Sequence, residues 1–367
     1  MVNQADHQHM SRALELAEQG RGFVEPNPMV GCVIVRDEQV VGEGWHQRFG
    51  GPHAEIEALA AAGNAAAGSE VFVTLEPCAH EGKTPACTEA LLEAKVSRVV
   101  IGCEDPNPHV AGGGIARLRS AGIKVELFSD NTPAHRLIAP FAKLMTKGRP
   151  WVIAKWAMTL DGKLATHTGD SQWITCEASR AMVHHLRGQV DGIVVGKGTV
   201  ASDDPMLTAR PPGARIATRI VLDSRATLST ESRLVKSLDQ APVLLVVRDD
   251  APAERVKVLR GCGVEVLQVA GQDRLERVGL FLDDLGRRQM TNILVEGGAS
   301  LIGTFFDLDA IDEVHAFIAP KLVGGHAALS PIAGQGLLEM SAARELVDVE
   351  ISTIESDVHL HGYVSRG

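Results

Sequence analysis

Short apolar runs alternate with helical patterns along almost the whole chain, and the alternation breaks once, over residues 143–150 (Lys-Leu-Met-Thr-Lys-Gly-Arg-Pro). Each strand or helix must bury one face against another layer, so this order calls for sheets covered by helices. Gly148 and Pro150 favour an interruption between a helical end and a new strand beginning at Trp151. The chain is therefore expected to form two α/β domains, residues 1–147 and 148–367. Its 367 residues agree with roughly 150 per domain.

In the first part, strands are expected over 30–35, 40–45, 71–75, 98–102 and 123–127. Helices are expected over 10–18, 53–62, 87–95 and 115–120. In the second, strands are expected over 151–156, 192–195, 220–223, 243–247, 264–269, 292–296 and 313–318. Its helices fall over 177–188, 253–261, 274–285 and 300–308. No apolar run approaches the ~20 residues that span a bilayer. The first residues are polar and lack an apolar core, so no secretory leader is expected and the expected compartment is the cytoplasm. The net charge of −10 divides evenly at Lys147, 13 basic against 18 acidic residues and then 23 against 28. Neither part reads as a nucleic-acid-binding domain, because phosphate-backbone binding needs a basic surface. Six cysteines in a chain of this length read as reduced thiols, some of them available to a metal.

His53-Ala54-Glu55 opens an expected helix, Glu76-Pro77-Cys78 ends an expected strand, and Cys87 opens the next helix. One imidazole and two thiolates supply three zinc ligands and leave a fourth position for water. Zinc lowers the pKa of that water to roughly 7. Glu55, two residues after His53, can stand beside the metal and carry a proton without ligating it. His-x-Glu followed by Pro-Cys and a later Cys is the pattern of zinc nucleobase deaminases. The general pattern has two residues between the cysteines, whereas here Cys87 follows Cys78 by nine positions, which leaves His80 and His46 as rival ligands. Cys32, Cys103, Cys176 and Cys262 sit in or beside apolar stretches and read as core.

Pro26-Asn27-Pro28-Met29-Val30-Gly31, His53-Ala54-Glu55, the stretch from Thr74 through Glu76-Pro77-Cys78 to Thr84-Pro85-Ala86-Cys87, and Asp105-Pro106-Asn107-Pro108 resemble the deaminase half of the bifunctional riboflavin-biosynthesis deaminase/reductase family. In that family the long gap between the cysteines is normal. The resemblance implies a cytidine-deaminase-like three-layer sandwich, zinc on His53, Cys78 and Cys87, and catalysis by Glu55. It also implies a pyrimidine pocket lined by Asn27, His46, His80, Lys83 and Asn107.

The second part has no Gly-x-Gly-x-x-Gly after a strand, so a Rossmann dehydrogenase is not supported. It has Asn292-Ile293-Leu294-Val295-Glu296-Gly297-Gly298-Ala299-Ser300-Leu301, a strand running through two glycines into a helix. Such a turn lets backbone N–H groups approach a phosphate, although it is also an ordinary tight turn. Lys155 to Lys163, Gly169 to Thr175, Gly196 to Arg210 and Val221 to Arg225 place polar residues at or just after strand carboxyl ends, the edge where open α/β sheets bind ligands.

These segments resemble the reductase half of the same family. The resemblance implies a dihydrofolate-reductase-like α/β domain that uses NADPH. It implies cofactor contacts at Ala157, Thr199, Asp203, Ser224, Gly298, Ala299, Ser300, Leu301, Ile302 and Gly303. Substrate contacts are implied at Ser171, Trp173, Arg187, Leu207, Arg210 and Glu296. A guanidinium fork at Arg187 or Arg210 suits a sugar phosphate. Lys155, on the strand edge, is placed to polarise the carbon that accepts hydride.

The expected activity is zinc-dependent deamination of a phosphoribosyl diaminopyrimidine followed by NADPH reduction of the ribosyl chain. The expected partners are small-molecule substrates, with neither nucleic acid nor membrane, and the family suggests a homo-oligomer with a dimer favoured. Two alternatives stand beside this: a deaminase of another base, tRNA included, with an unrelated second module, and a non-catalytic protein with structural zinc. Three ligands and a carboxylate such as Glu55 weigh against the latter.

Overall fold

The structure is a computed structural model that describes residues 2–79, 86–108 and 110–365. The chain divides into two compact units, one ending at Gly148 and the other beginning at Arg149. The helix Thr132–Lys147 runs through the expected linker, so the break narrows to three residues around Gly148, whose left-handed backbone caps that helix.

In the first unit, strands β1 (Gly31–Arg36), β2 (Gln39–Trp45), β3 (Glu70–Leu75), β4 (Arg98–Cys103) and β5 (Lys124–Leu127) form one sheet in the order β2-β1-β3-β4-β5. β1 is antiparallel to both neighbours, and β3, β4 and β5 are parallel. Met10, Ala13 and Leu16 of helix Gln4–Glu18 pack on one face with Val33, Phe72 and Val100. Ala54 and Ala58 of helix Ala54–Ala62, with Leu91, Ile115 and Leu118 of the next two helices, cover the other. This is the expected three-layer sandwich. Gly31 is required where β1 meets the first helix, since a Cβ there would lie 1.9 Å from the Ala13 carbonyl oxygen.

Arg98, the first residue of β4, binds three carboxylates: Asp6 at 2.8 Å, Glu70 at 2.6 Å and Glu126 at 2.6 Å. It ties the first helix to β3, β4 and β5. The Arg98 guanidinium holds the Asp6 carboxyl below the usual range, while Lys124 and then Arg98 hold Glu126 down to about 2. Depressed carboxylates stabilise above their unfolded pKa values near 4, and that stability is lost as pH falls toward 2. Arg98→Met leaves Asp6 buried without its cation and is expected to cost about 3–5 kcal/mol. Urea unfolding of the variant at pH 7 checks this; an unchanged midpoint would show that the network contributes nothing.

In the second unit, strands β6 (Trp151–Thr159), β7 (Gly192–Gly196), β8 (Thr218–Leu222), β9 (Val243–Arg248), β10 (Glu265–Val269), β11 (Asn292–Val295), β12 (Glu313–Ala319), β13 (Leu346–Ile354) and β14 (Asp357–Val364) form a sheet ordered β10-β9-β8-β7-β11-β6-β12-β14-β13. The strands from β10 across to β12 are parallel, and β14 and β13 close the edge as an antiparallel hairpin. Val256 and Leu259 pack against one face. Val278, Phe281, Leu285, Leu301 and Phe305 pack against the other. Among the described residues no helix is long and apolar enough to cross a membrane.

Candidate active sites

The zinc-ligand set assembles from one helix start, one strand end and a second helix start. His53 precedes helix Ala54–Ala62 in extended conformation, and Cys87 is the first residue of helix Cys87–Glu93. His53 Nδ1 lies 3.1 Å from Cys87 Sγ and 3.6 Å from Cys78 Sγ. Zn–N and Zn–S bonds of ~2.0 and ~2.3 Å at tetrahedral angles require separations of about 3.5 Å, so the three donors fit one zinc ion. The Cys87 backbone N–H donates to Cys78 Sγ at 3.3 Å. Hydrogen bonds from Cys87 and His53 bring the Cys78 thiol down to about 4, so one thiolate is already favoured.

Glu55 is 3 % exposed in the first turn of its helix. Burial pushes its carboxyl up from the usual range, and Cys87 is its hydrogen-bonding neighbour. His46 is also buried. Its Nδ1–H donates to the Pro52 carbonyl at 2.8 Å and its Nε2 faces Asn27 Nδ2 at 3.1 Å. Burial lowers its pKa, so the ring is neutral and its tautomer is fixed by these two partners. His46 and His53 ring centroids lie 5.6 Å apart, which brings Asn27 and His46 alongside the three donors; His53, Cys78 and Cys87 converge without His46. Asn107 lies in the turn after β4, where its N–H donates to Asp105 Oδ1. His80 and Lys83 fall outside the described residues.

Glu76 has a role that its place at the strand end did not reveal. Its carboxylate accepts backbone N–H groups from Asp105, Gly112, Gly114 and Ile115 at 2.8–3.2 Å. It therefore anchors the loop that carries Asn107 and the start of helix Gly113–Ser120. An acidic side chain at a helix N-terminus has this effect, but the partners lie 29–39 residues away.

In the second unit, the carboxyl ends of β6, β7, β8, β9 and β11 open onto a cavity of about 850 Å³. Of the expected cofactor residues, Ala157, Thr199, Asp203, Ser224, Gly298, Ala299, Ser300, Leu301 and Ile302 line it. Gly303 does not: it packs on the chain at Ala333, where a Cβ would lie 1.7 Å from the carbonyl oxygen. Gly297 has φ +109°, a backbone that side chains strongly disfavour, and the helix Ala299–Asp307 starts immediately beyond. Lys197, Arg248, Arg274 and Arg277 add positive charge, and Val246, Val269, Val278 and Phe281 an apolar wall. Arg274 donates to Ser300 Oγ at 2.6 Å. Such cations, backbone donors and apolar wall fit a large anionic dinucleotide. Arg274 and Arg277 look in sequence like the solvated side of a helix start, and only the bond from Arg274 to Ser300 and the place of both in the cavity lining reveal them.

Lys155, Ser171 and Glu296 also line the cavity; Trp173, Arg187, Leu207 and Arg210 do not. Arg187 grips Glu296 with both arms, at 2.5 and 2.7 Å, so its fork is already occupied by a carboxylate. Lys155 Nζ lies 3.9 Å from the same carboxylate. Burial alone would raise Glu296, but Arg187 and Lys155 bring it down to about 2; burial lowers Lys155. Arg210 is exposed and reaches Thr208 Oγ1 at 3.1 Å and His184 Nε2 at 3.3 Å. Leu207 is buried. Trp173 is 62 % exposed with the Arg180 guanidinium 4.5 Å over its ring.

Comparison with known proteins covers both units. Residues 3–103 match the cytidine and deoxycytidylate deaminase zinc-binding region, and residues 150–360 match the RibD C-terminal domain. The riboflavin biosynthesis protein RibD of Actinobacillus pleuropneumoniae is 40 % identical over 358 residues, spanning 97 % of this chain and 94 % of its own. The structure of Acinetobacter baumannii RibD superposes with a TM-score of 0.86 at 35 % identity over 99 % of both chains. A Thermotoga maritima structure described as a diaminohydroxyphosphoribosylaminopyrimidine deaminase/5-amino-6-(5-phosphoribosylamino)uracil reductase gives 0.83 at 36 % identity, over 98 % of this chain and 99 % of that one. With a zinc-binding deaminase unit and a reductase unit matched in order over nearly its full length, this chain belongs to the RibD family of bifunctional riboflavin-biosynthesis deaminases and reductases.

Proposed function

We propose that the first unit deaminates 2,5-diamino-6-(5-phosphoribosylamino)pyrimidin-4-one at C2, and that the second reduces the ribosyl chain of the resulting aminouracil to ribityl with NADPH. The observation that carries the first step is the buried Glu55 carboxyl beside three converging zinc donors. Zinc, held by His53, Cys78 and Cys87, supplies Lewis acidity and lowers the pKa of water to about 7. Glu55 accepts one proton from water on a carboxylate oxygen and delivers it to the ring nitrogen, then takes the proton of the hydroxyl added at C2 and delivers it to the amine, which leaves as ammonia. Its raised pKa suits a group that must both take and give a proton near neutrality. Asn27 and the neutral His46 hold the pyrimidine, with His80, Lys83 and Asn107 completing the pocket.

NADPH supplies the hydride. Ala157, Thr199, Asp203, Ser224 and the 298–302 turn orient it, with Gly303 giving that turn its close seat on the chain. Lys155 polarises the sugar carbon that accepts the hydride. Glu296 keeps Lys155 and Arg187 in place, while Arg210, with Ser171 and Trp173 around the approach, receives the sugar phosphate, and the buried Leu207 anchors the segment that carries Arg210. The substrates are small molecules and nucleic acid is not among the partners, in keeping with the acidic balance of both parts. The chain works in the cytoplasm as a homo-oligomer, a dimer being favoured; exposed Leu338, Met340 and Ile351 support a self-association surface.

Loss of zinc from the cysteine site separates the two activities. Cys78→Ala, which takes a donor from the cysteine site alone, is expected to abolish ammonia release from the diaminopyrimidine and to leave NADPH oxidation with the aminouracil unchanged. Loss of both, or of neither, would contradict the assignment.

A further inference from the structure

β12 and β14 carry a second cluster of metal-ligating side chains, which neither reaction uses. Strand alternation puts Glu313, His315 and Phe317 on one face of β12, and the register sets them opposite Tyr363, His361 and His359 of β14. Glu313 Oε1 lies 3.0 Å from His315 Nε2 and 2.9 Å from His361 Nε2. One ligand atom from each residue thus meets at a single point, all within 4.8 Å. The side chains are mostly buried, with 16, 7 and 15 % exposure for Glu313, His315 and His361.

The surrounding groups have the arrangement that a metal site needs. Trp151 Nε1–H donates to Glu313 Oε2 at 2.8 Å, which fixes the carboxylate with Oε1 toward the imidazoles. His315 Nδ1 lies 3.0 Å from His359 Nε2. That distance places His359 Nε2 to accept a hydrogen bond from His315 Nδ1–H. In that tautomer His315 Nε2 presents its lone pair. His361 Nδ1 has the exposed Glu350 carboxylate 3.9 Å away, a nearby negative charge outside hydrogen-bond distance. Ligating imidazoles ordinarily donate their second N–H to an acceptor, as His315 does to His359, and ligating carboxylates are themselves hydrogen-bonded.

We propose that Glu313, His315 and His361 form a site for a divalent transition cation such as Zn2+, with water completing the coordination. Two imidazoles and one carboxylate, without thiolate, suit borderline cations. The ion clamps β12 to β14. His315 stands in register with Lys155 of β6, and Lys155 Nζ lies 5.9 Å over the ring of Phe317, which stacks on His359. The clamp therefore braces the strand next to Lys155.

Equilibrium dialysis of the full chain against buffered Zn2+ tests this. Two equivalents are expected per chain, falling to one in His361→Gln and in His315→Gln. When Co2+ is added to chain already holding its first zinc at the cysteines, the second site is expected to give ligand-field absorption without thiolate charge transfer. One equivalent in the unmodified chain, which requires no variant to fold, would overturn the proposal. So would a second equivalent that survives both substitutions.

Discussion

Glu55→Gln is expected to lower ammonia release by about 10²–10⁴-fold, the range for loss of a positioned general acid–base, while the chain keeps its zinc at the cysteines. The substitution preserves shape and removes only the ability to take and return a proton. Glu55 is buried at a helix start, and burial holds its pKa up; the amide carries no charge to desolvate, so folding is not expected to suffer. Metal content and product formation measured on the same sample check the prediction. Deamination at the unmodified rate would remove Glu55 from the mechanism, and loss of zinc together with activity would show a role in holding the ligand set instead.

Glu296→Ala is expected to have the largest effect on the second unit. Glu296 and Arg187 are 6 and 14 % exposed at the side chain and form a two-armed pair, with Lys155 as a second cation. Removing the carboxylate leaves two buried cations without compensation. Breaking one partner of such a pair costs about 3–5 kcal/mol, equivalent to a fall of roughly 10 °C in the unfolding temperature of a unit this size. Reduction is lost with it, because Lys155 and Arg187 no longer have a fixed partner. Calorimetry of the full chain, with deamination as a control on the first unit, reads both effects. An unchanged Tm would mean that the pair contributes nothing to the fold.

Several features were readable because residue type and local pattern agreed. His53, Glu55, Cys78 and Cys87 stand at helix starts and a strand end, the places where a donor can face a common point, and Gly297-Gly298 sits between an apolar strand and a helix. Other features depend on long-range geometry or lack a periodic signal. The first helix begins at Gln4, six residues before its apolar stripe, because Asn3 and Asp6 cap it reciprocally. The helix Thr132–Lys147 holds Pro140 within it, which argues against a helix in sequence. β13 is exposed along most of its length, so alternation could not mark it, and the hairpin to β14 turns through Glu355 at positive φ without glycine. Arg187 illustrates the same limit at the site. As a residue type it suits phosphate, yet its partner is Glu296, 109 positions along the chain.

The most direct measurement is product mass after mixing the purified chain with 2,5-diamino-6-(5-phosphoribosylamino)pyrimidin-4-one, first without and then with NADPH. The account predicts conversion of the amine to the carbonyl without cofactor, and the gain of two hydrogens on the sugar chain only once NADPH is added. Unchanged substrate in a zinc-loaded sample, or reduction that precedes deamination, would contradict it.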